Sequence, residues 1–251
     1  MIAPLWRSVR WRLPWLYLGP LASAVRSVGP TTAGSLANKE YELVSASSFR
    51  FLNLVAAPVK ALARSSPRLN AALWDVQYKL GLWDYLDDGT AAGRELAEVI
   101  EQYAPQASIL DLGCGTSANL PLGPGTYRRY HGVDISAKAI KRARMLKRPH
   151  ATYETADILT YAPQETYDAI LLREVIYYLP PAQVSGFLAR LSGFLAPGGV
   201  IVIQVWAGER SPGLIAAIEG SALPVVLEKT LELDPGHPTV YLLGGQPPAA
   251  V

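Results

Sequence analysis

The sequence predicts an α/β fold built on a mostly parallel sheet, preceded by a helical appendage. Three observations carry this reading. Half of the 251 residues are apolar and only 18% are charged, which suits a sizeable core and not a disordered chain. Beyond residue 105, short apolar runs bounded by turn residues alternate with helical segments, the pattern of βαβ units around a buried parallel sheet. Near the end, two apolar runs are joined only by Asp234-Pro235-Gly236-His237-Pro238. That link is too short for a crossover helix, so these two strands are antiparallel neighbours. The length fits one domain or one domain with an appendage, divided here into an arm and lid over 1–89 and an α/β domain over 90–251.

The first 39 residues hold four arginines and Lys39 but no acid. Trp6, Trp11 and Trp15 alternate with Arg7, Arg10 and Arg12, ahead of the apolar stretch Leu13 to Val25. That stretch is too short to span a membrane and is interrupted by Pro14, Gly19 and Pro20. Ala22-Ser23-Ala24 imitates a signal-peptide cleavage site, but the prolines break the run it would need. The favoured reading is that the tryptophans pack on the chain's own catalytic domain or cover a substrate. The other is a membrane-surface or protein contact through residues 1–30. A cytoplasmic setting, with membrane association as its variant, is the expectation.

Up to Tyr103 the pattern is mostly helical, broken at Pro58, Pro67 and Gly81. Glu95, Glu98 and Glu101 interleave with Leu96, Val99 and Ile100, an amphipathic helix that ends before Pro105. Five strands of the domain are then expected at Ile109–Leu112, Tyr130–Ile135, Thr152–Asp157, Tyr167–Leu172 and Val200–Trp206. The antiparallel pair follows at Val225–Leu233 and Thr239–Leu243. Between the first two strands, Pro121, Gly123, Pro124 and Gly125 leave room for one or two helical turns at most.

The sharpest chemical signal is Ile109-Leu110-Asp111-Leu112-Gly113-Cys114-Gly115-Thr116-Ser117. A strand running into a Gly-x-Gly turn lets backbone N–H groups approach a ligand unobstructed. Gly113-x-Gly115-x-x-Ala118 also meets the loose dinucleotide fingerprint, a weak pattern. Asp111 changes the balance, because a carboxylate there suits an ammonium and repels a pyrophosphate. Asp134 closes the second strand about 20 residues beyond the glycine turn, where an acid can accept from a ribose diol. Asp157 ends the third. Three acids at consecutive strand ends occupy the rim where open α/β sheets bind ligands.

With these segments in order, residues 90–244 resemble the class I S-adenosylmethionine-dependent methyltransferases. The resemblance rests on Asp111-Leu-Gly-Cys-Gly-Thr, Gly132-Val-Asp134, Ala156-Asp157-Ile158, Tyr167-Asp-Ala-Ile-Leu-Leu and Leu195-Ala-Pro-Gly-Gly199-Val. It implies a Rossmann-like seven-stranded sheet with an antiparallel final strand, and S-adenosyl-L-methionine as cofactor. It also implies site roles. Gly113, Cys114 and Gly115 approach the methionine moiety, and Asp111 holds its amino group directly or through water. Asp134, with Ile135 beside it, takes the ribose hydroxyls, while Asp157 and the N–H of Ile158 read the adenine edge. Arg173 is a further cofactor contact, through its backbone. Similar methyltransferases carry a lid ahead of the first strand, and the segment Trp74 to Leu86 implies one here, with Tyr78 and Trp83 near the cofactor or acceptor.

In the family, the junction after the fourth strand lies beside the transferable methyl group. Here it reads Arg173-Glu174-Val175-Ile176-Tyr177-Tyr178. Glu174 is the candidate base or acceptor-orienting group, with Tyr177 and Tyr178 as walls and donors. The structural alternative is an ion-paired Glu174 with one tyrosine in the core. The stretch from Glu174 is similar to a motif of nodulation-type methyltransferases, which act on sugar amines, and this tilts the acceptor toward a saccharide or other polar small molecule. Oxygen and nitrogen acceptors both remain open.

Other classes fare less well. The net charge of +2 argues against bulk nucleic-acid binding. Eight basic residues lie between Arg128 and Arg148 against one acid, Asp134; they read as a solvated helix face, with an anionic membrane or nucleic acid as the alternative. The single Cys114 excludes an intrachain disulfide or a multi-cysteine zinc site, and no histidine pair has ligand spacing, so no metal is expected. Asp87-Asp88 and Asp234 near His237 read first as turn chemistry. An NAD(P)-dependent dehydrogenase is opposed by Asp111 and by the lack of any Tyr-x-x-x-Lys pair. A cofactor-binding but non-catalytic partner subunit is the remaining alternative.

Overall fold

A computed structural model describes residues 66–84, 90–123, 125–206, 211–233 and 237–244. Every described residue belongs to one compact unit, Pro58–Val251. The expectations for residues 1–30, Asp87-Asp88 and Asp234 lie outside the described residues.

Helix α1 spans Pro67–Lys79, opened by Ser66 as N-cap with Pro67 at its first position, and stops before Gly81, whose φ of +70° a helix cannot continue. Helix α2 spans Ala91–Tyr103; the Thr90 hydroxyl accepts from the Gly93 N–H at 2.9 Å, and Leu96, Val99 and Ile100 form its buried face. Strands β1 (Ala107–Leu112) and β2 (Tyr127–Asp134) follow, then α3 (Ala137–Met145), β3 (Ala151–Thr155) and β4 (Tyr167–Arg173). A 3-10 turn at Ile176–Tyr178 leads to α4 (Pro181–Ser192), β5 (Leu195–Val205), α5 (Pro212–Glu219), β6 (Val225–Thr230) and β7 (Thr239–Leu243).

The seven strands lie in the order β3-β2-β1-β4-β5-β7-β6. Strands β1 to β5 pair in parallel, while β7 is antiparallel to both β5 and β6. This is the Rossmann-like sheet with a reversed final strand. Its two faces are packed separately, one around Leu96, Ile109, Tyr130 and Ile140 and the other around Leu110, Leu172, Leu188 and Ile203. Each fully buried Leu or Ile side chain contributes about 1.5–3 kcal/mol relative to exposure. The strand order reverses between β1 and β4, and Asp111, Arg173 and Glu174 lie at the carboxyl ends of these strands, the edge at which open α/β sheets bind ligands.

Several details differ from the sequence reading, three of them with a bearing on the fold. Strand β5 starts at Leu195, five residues before Val200, because Leu195 pairs with Tyr167 ahead of a bulge at Gly198, φ +77°. Strand β6 ends at Thr230 rather than Leu233. Among the described residues, β1 and β2 are joined with no helical turn at all, so the loop needs other partners for its carbonyls.

Candidate functional site

The loop after β1 turns at the carboxyl edge of the sheet in a conformation that requires glycine. Gly113 and Gly115 have φ of +77° and +56°. A Cβ on Gly113 would lie 2.7 Å from Val175 Cγ2, and one on Gly115 would lie 2.7 Å from the Tyr78 hydroxyl. The N–H groups of Gly113 and Cys114 both donate to the Val133 carbonyl, at 2.7 and 3.0 Å, tying the loop to β2. Cys114 turns its thiol inward, 2.9 Å from where a Gly132 Cβ would be, and burial pushes its pKa up. Only its backbone faces the site.

Asp111 is fully buried, and its surroundings correct the sequence reading. Its Oδ2 accepts from the Tyr130 hydroxyl at 2.6 Å and from Arg173 Nη2 and Nε at 2.9 and 3.2 Å. The charge expected to meet an ammonium is therefore already balanced by Arg173. Oδ1 is buried with no hydrogen-bond partner, so it alone is left to accept from a ligand. The Arg173 side chain is engaged on this side too. Its Nη1 donates to Asn119 Oδ1 at 2.8 Å and its Nη2 reaches the Cys114 carbonyl at 3.4 Å, bracing the glycine loop from behind. Burial opposes its charge, yet the Asp111 carboxylate holds its pKa above the ordinary value.

Arg148, which the sequence reading left on a solvated face, braces the same loop from the other side. It donates to the carbonyls of Ser117 and Leu120 at 2.6 and 2.5 Å. A crossover helix would have satisfied such carbonyls through its own N–H groups; here a guanidinium does so. Gly93 is a second residue the sequence reading missed, since it lets α2 approach the Asn119 carbonyl.

Asp134 is the acid at the rim. Its Oδ2 accepts from the Gly115 N–H at 2.9 Å and its Oδ1 from the Ser136 N–H at 2.8 Å. Each oxygen keeps a lone pair, the arrangement needed to receive two vicinal hydroxyls. Burial pushes its pKa up to about 6, against the two backbone donors that favour the charged form. Ile135, half-buried, separates it from Ser136. Asp157 lies two residues past β3, its Oδ1 accepting from the Leu159 N–H at 2.9 Å. Arg190 fixes the same turn by donating to the Ile158 carbonyl at 2.7 Å.

Helix α1 roofs the rim. The Tyr78 hydroxyl is buried above Gly115; burial, then the neighbouring Asp134, hold its pKa well above the ordinary value. Asp75, also missed, anchors the roof: its Oδ1 accepts from the Ser136 hydroxyl at 2.6 Å and the Lys138 N–H at 3.0 Å. Ser136 thus opens α3, holds Asp134 through its N–H and holds Asp75 through its Oγ. Arg142 latches the far end, pairing with Asp84 and donating to the Tyr78 carbonyl at 3.0 Å.

The aromatic residues converge. Trp74 stands 5.6 Å from Trp83, 6.4 Å from Tyr78 and 5.5 Å edge-on from Tyr178, and the Tyr177 and Tyr178 rings are 4.9 Å apart. Tyr177 is buried in the core, whereas Tyr178 is 37% exposed. The structure thus brings Tyr78, Trp83 and Tyr178 together around Trp74, which the sequence reading had not singled out, while Tyr177 backs Tyr178 from the core. Glu174 sits at φ +54°, a strained position for a non-glycine residue. Its N–H donates to the Gln204 carbonyl and its Oε2 accepts from the Trp206 N–H, both at 3.0 Å.

The Asp134 environment has a pH consequence. Its ionised form is the better acceptor for two hydroxyls, so ligand affinity should be level well above pH 6 and fall by up to about tenfold per unit below it. Calorimetry with S-adenosylhomocysteine across pH checks this, and Asp134→Asn should flatten the profile. The stability sign is opposite. A carboxyl whose folded pKa is raised favours the folded state at low pH, and that contribution is lost as pH rises from 3.8 through about 6.

A family described as a methyltransferase domain matches residues 82–227. A trans-aconitate 2-methyltransferase of Methylobacterium radiotolerans is 32% identical over 121 residues, 47% of this chain and 45% of that protein. A dTDP-3-amino-3,6-dideoxy-alpha-D-glucopyranose N,N-dimethyltransferase of Streptomyces fradiae is 25% identical over 128 residues, 49% of this chain and 50% of that protein. The chain spans about half the length of these curated relatives. The crystal structure of N-methyltransferase NodS from Bradyrhizobium japonicum in complex with S-adenosyl-l-homocysteine shares the fold at TM-score 0.53 and 24% identity, over 65% of this chain and 91% of that one. With more than half of its length matched, and with the sheet order described above, the chain belongs to the methyltransferase domain family and has the fold of class I S-adenosylmethionine-dependent methyltransferases.

Proposed function

We propose that this chain transfers a methyl group from S-adenosylmethionine to an oxygen or nitrogen of a small-molecule or saccharide acceptor. The observation that carries the proposal is the bare bend at Gly113–Gly115 with the buried Asp134 carboxylate 2.9 Å from the Gly115 N–H. The residues present fit the cofactor: a carboxylate with lone pairs for a diol, the unpartnered Asp111 Oδ1, and a glycine bend whose φ values exclude side chains there. When bound, the cofactor supplies a methyl carbon already activated by its sulfonium.

The protein's own work is positioning. Asp134 accepts from the ribose hydroxyls, Gly113 and Gly115 let the backbone come close, and Asp157 with Ile158 faces the base edge. Trp74, Tyr78 and Tyr178 form an aromatic roof that keeps water out, which strengthens every polar contact beneath it. Glu174 orients the acceptor and takes its proton where the acceptor is a hydroxyl; an amine needs only orientation and deprotonation. The small-molecule reading draws on the relatives, one named for trans-aconitate and another for an amino sugar.

Binding of S-adenosylhomocysteine and of NAD, titrated in parallel, tests the cofactor. Binding of the first, abolished by Asp134→Ala, with no response to the second supports the proposal; the reverse pattern returns the dehydrogenase reading. The second reading, binding without transfer, draws on Glu174, because its Oε2 is engaged by the Trp206 N–H. Glu174→Gln keeps an acceptor for that N–H but removes the base. Transfer to a hydroxyl should fall by about 10²–10⁴-fold with cofactor affinity unchanged. Equal transfer rates would remove Glu174 from the chemistry.

A further inference from the structure

Most of the large apolar side chains left exposed among the described residues sit in one place. Of nine such residues, six belong to α1, α3 and the turns that end them: Leu69, Val76, Leu80, Leu82, Met145 and Leu146. Leu69, Val76 and Leu80 are spaced seven and four apart, so they form a single stripe along α1. Leu80 and Met145 are 67% and 70% exposed. The two helices lie side by side, joined by Asp75 to Ser136 and Lys138 at one end and by Arg142 to Tyr78 and Asp84 at the other. Their outward residues therefore share one surface.

That surface is also cationic. Lys79, Lys138, Lys141 and Lys147 are exposed on it and none has a carboxylate partner among the described residues, whereas Asp84 is paired with Arg142. Asp75 is turned inward against Ser136. An apolar stripe rimmed by lysines has few fitting partners. A second copy of the chain would set like lysines against one another across a two-fold contact. A nucleic acid would satisfy the lysines but offers nothing to Leu80, Leu82, Met145 and Leu146, and among the described residues no exposed aromatic ring belongs to α1 or α3 for bases to stack on. An anionic bilayer satisfies both halves, with acyl chains for the apolar residues and headgroups for the lysines.

We propose that the α1–α3 surface docks on an anionic lipid membrane, lying on it and not crossing it. No described helix is long and apolar enough to cross a membrane. The occupant is a lipid surface of negative charge, and the helix that roofs the candidate site is the helix that meets it. The proposal does not depend on the methyl-transfer reading.

Sedimentation of the full chain with sucrose-loaded vesicles tests it, comparing phosphatidylcholine alone with mixtures holding about one third phosphatidylglycerol. Preference for the anionic vesicles by at least about tenfold, weakening as salt is raised, is the expected result. Lys141→Gln with Lys147→Gln should lower the partition by about tenfold or more, at about fivefold per lysine. Leu80→Gln with Met145→Gln should lower it at least as far. Thermal unfolding of each variant should match the parent, since none of the four residues is buried. Equal partition into neutral and anionic vesicles overturns the proposal. So does unchanged binding by both variants, which places the lipid contact elsewhere in the chain. Self-association lost in the Leu80/Met145 variant, or binding to a duplex oligonucleotide lost in the lysine variant while vesicles are ignored, assigns the surface to the other partner and overturns it as well.

Discussion

Arg173→Met should lower folding stability by about 3–5 kcal/mol, read as a fall in the urea midpoint. Side-chain exposure is 5% for Arg173 and nil for Asp111, so the substitution strands a charge where water cannot reach it. The Tyr130 hydroxyl stays, at 2.6 Å, but one neutral donor does not replace a guanidinium held by two contacts. Asn119 Oδ1 and the Cys114 carbonyl lose the same donor, so the glycine loop slackens and S-adenosylhomocysteine affinity should drop with stability. Adding Asp111→Asn removes the stranded charge and should restore a large part of the stability. It should not restore affinity, because the loop still lacks its brace. Recovery of both together would mean that Arg173 serves only to neutralise Asp111.

Gly93→Ala is the second large effect, and its sign runs against helix propensity. At an open helical position the change gains up to about 1 kcal/mol. At Gly93 the new methyl carbon would sit 1.8 Å from the Asn119 carbonyl oxygen, a backbone atom that cannot rotate away. Either α2 slides or the loop moves, and overpacking of this kind costs about 1–3 kcal/mol. Because Asn119 also accepts from Arg173, the displacement reaches Asp111 and the glycine bend. The expected result is a lower unfolding midpoint together with about a tenfold loss of S-adenosylhomocysteine affinity. Gly186 in α4 is the control, since a Cβ there meets nothing within 4 Å, and Gly186→Ala should be neutral or stabilising. Equal behaviour of the two variants would show that α2 has room to spare.

The strands were readable because burial on both faces leaves each as an unbroken apolar run, as in Ile109-Leu110 or Val200 to Val205. The final antiparallel pair was readable because five residues cannot carry a crossover. Asp134 was readable because a strand end is a local event. The Asp111–Arg173 pair was not, because its partners stand 62 residues apart and meet only when β1 and β4 become neighbours. Asp111 taken alone looked like a group waiting for an ammonium. Arg148 was hidden for a related reason. Its basic neighbours at Lys138, Lys141 and Lys147 point outward, and nothing in their spacing separates the arginine that turns back to Ser117. Gly93 left a faint signal, a glycine inside an otherwise good helix, whose cause is visible only once the loop lies against it.

Ser136 has the widest consequence. One residue grips the roof with its hydroxyl and the rim acid with its amide, so a shift of either reaches the other. By reciprocity, whatever a nucleoside gains by finding the cover shut, the cover gains in staying shut once the nucleoside has arrived. Asp75→Ala, which leaves Asp134 itself untouched, should therefore weaken S-adenosylhomocysteine binding, read by calorimetry.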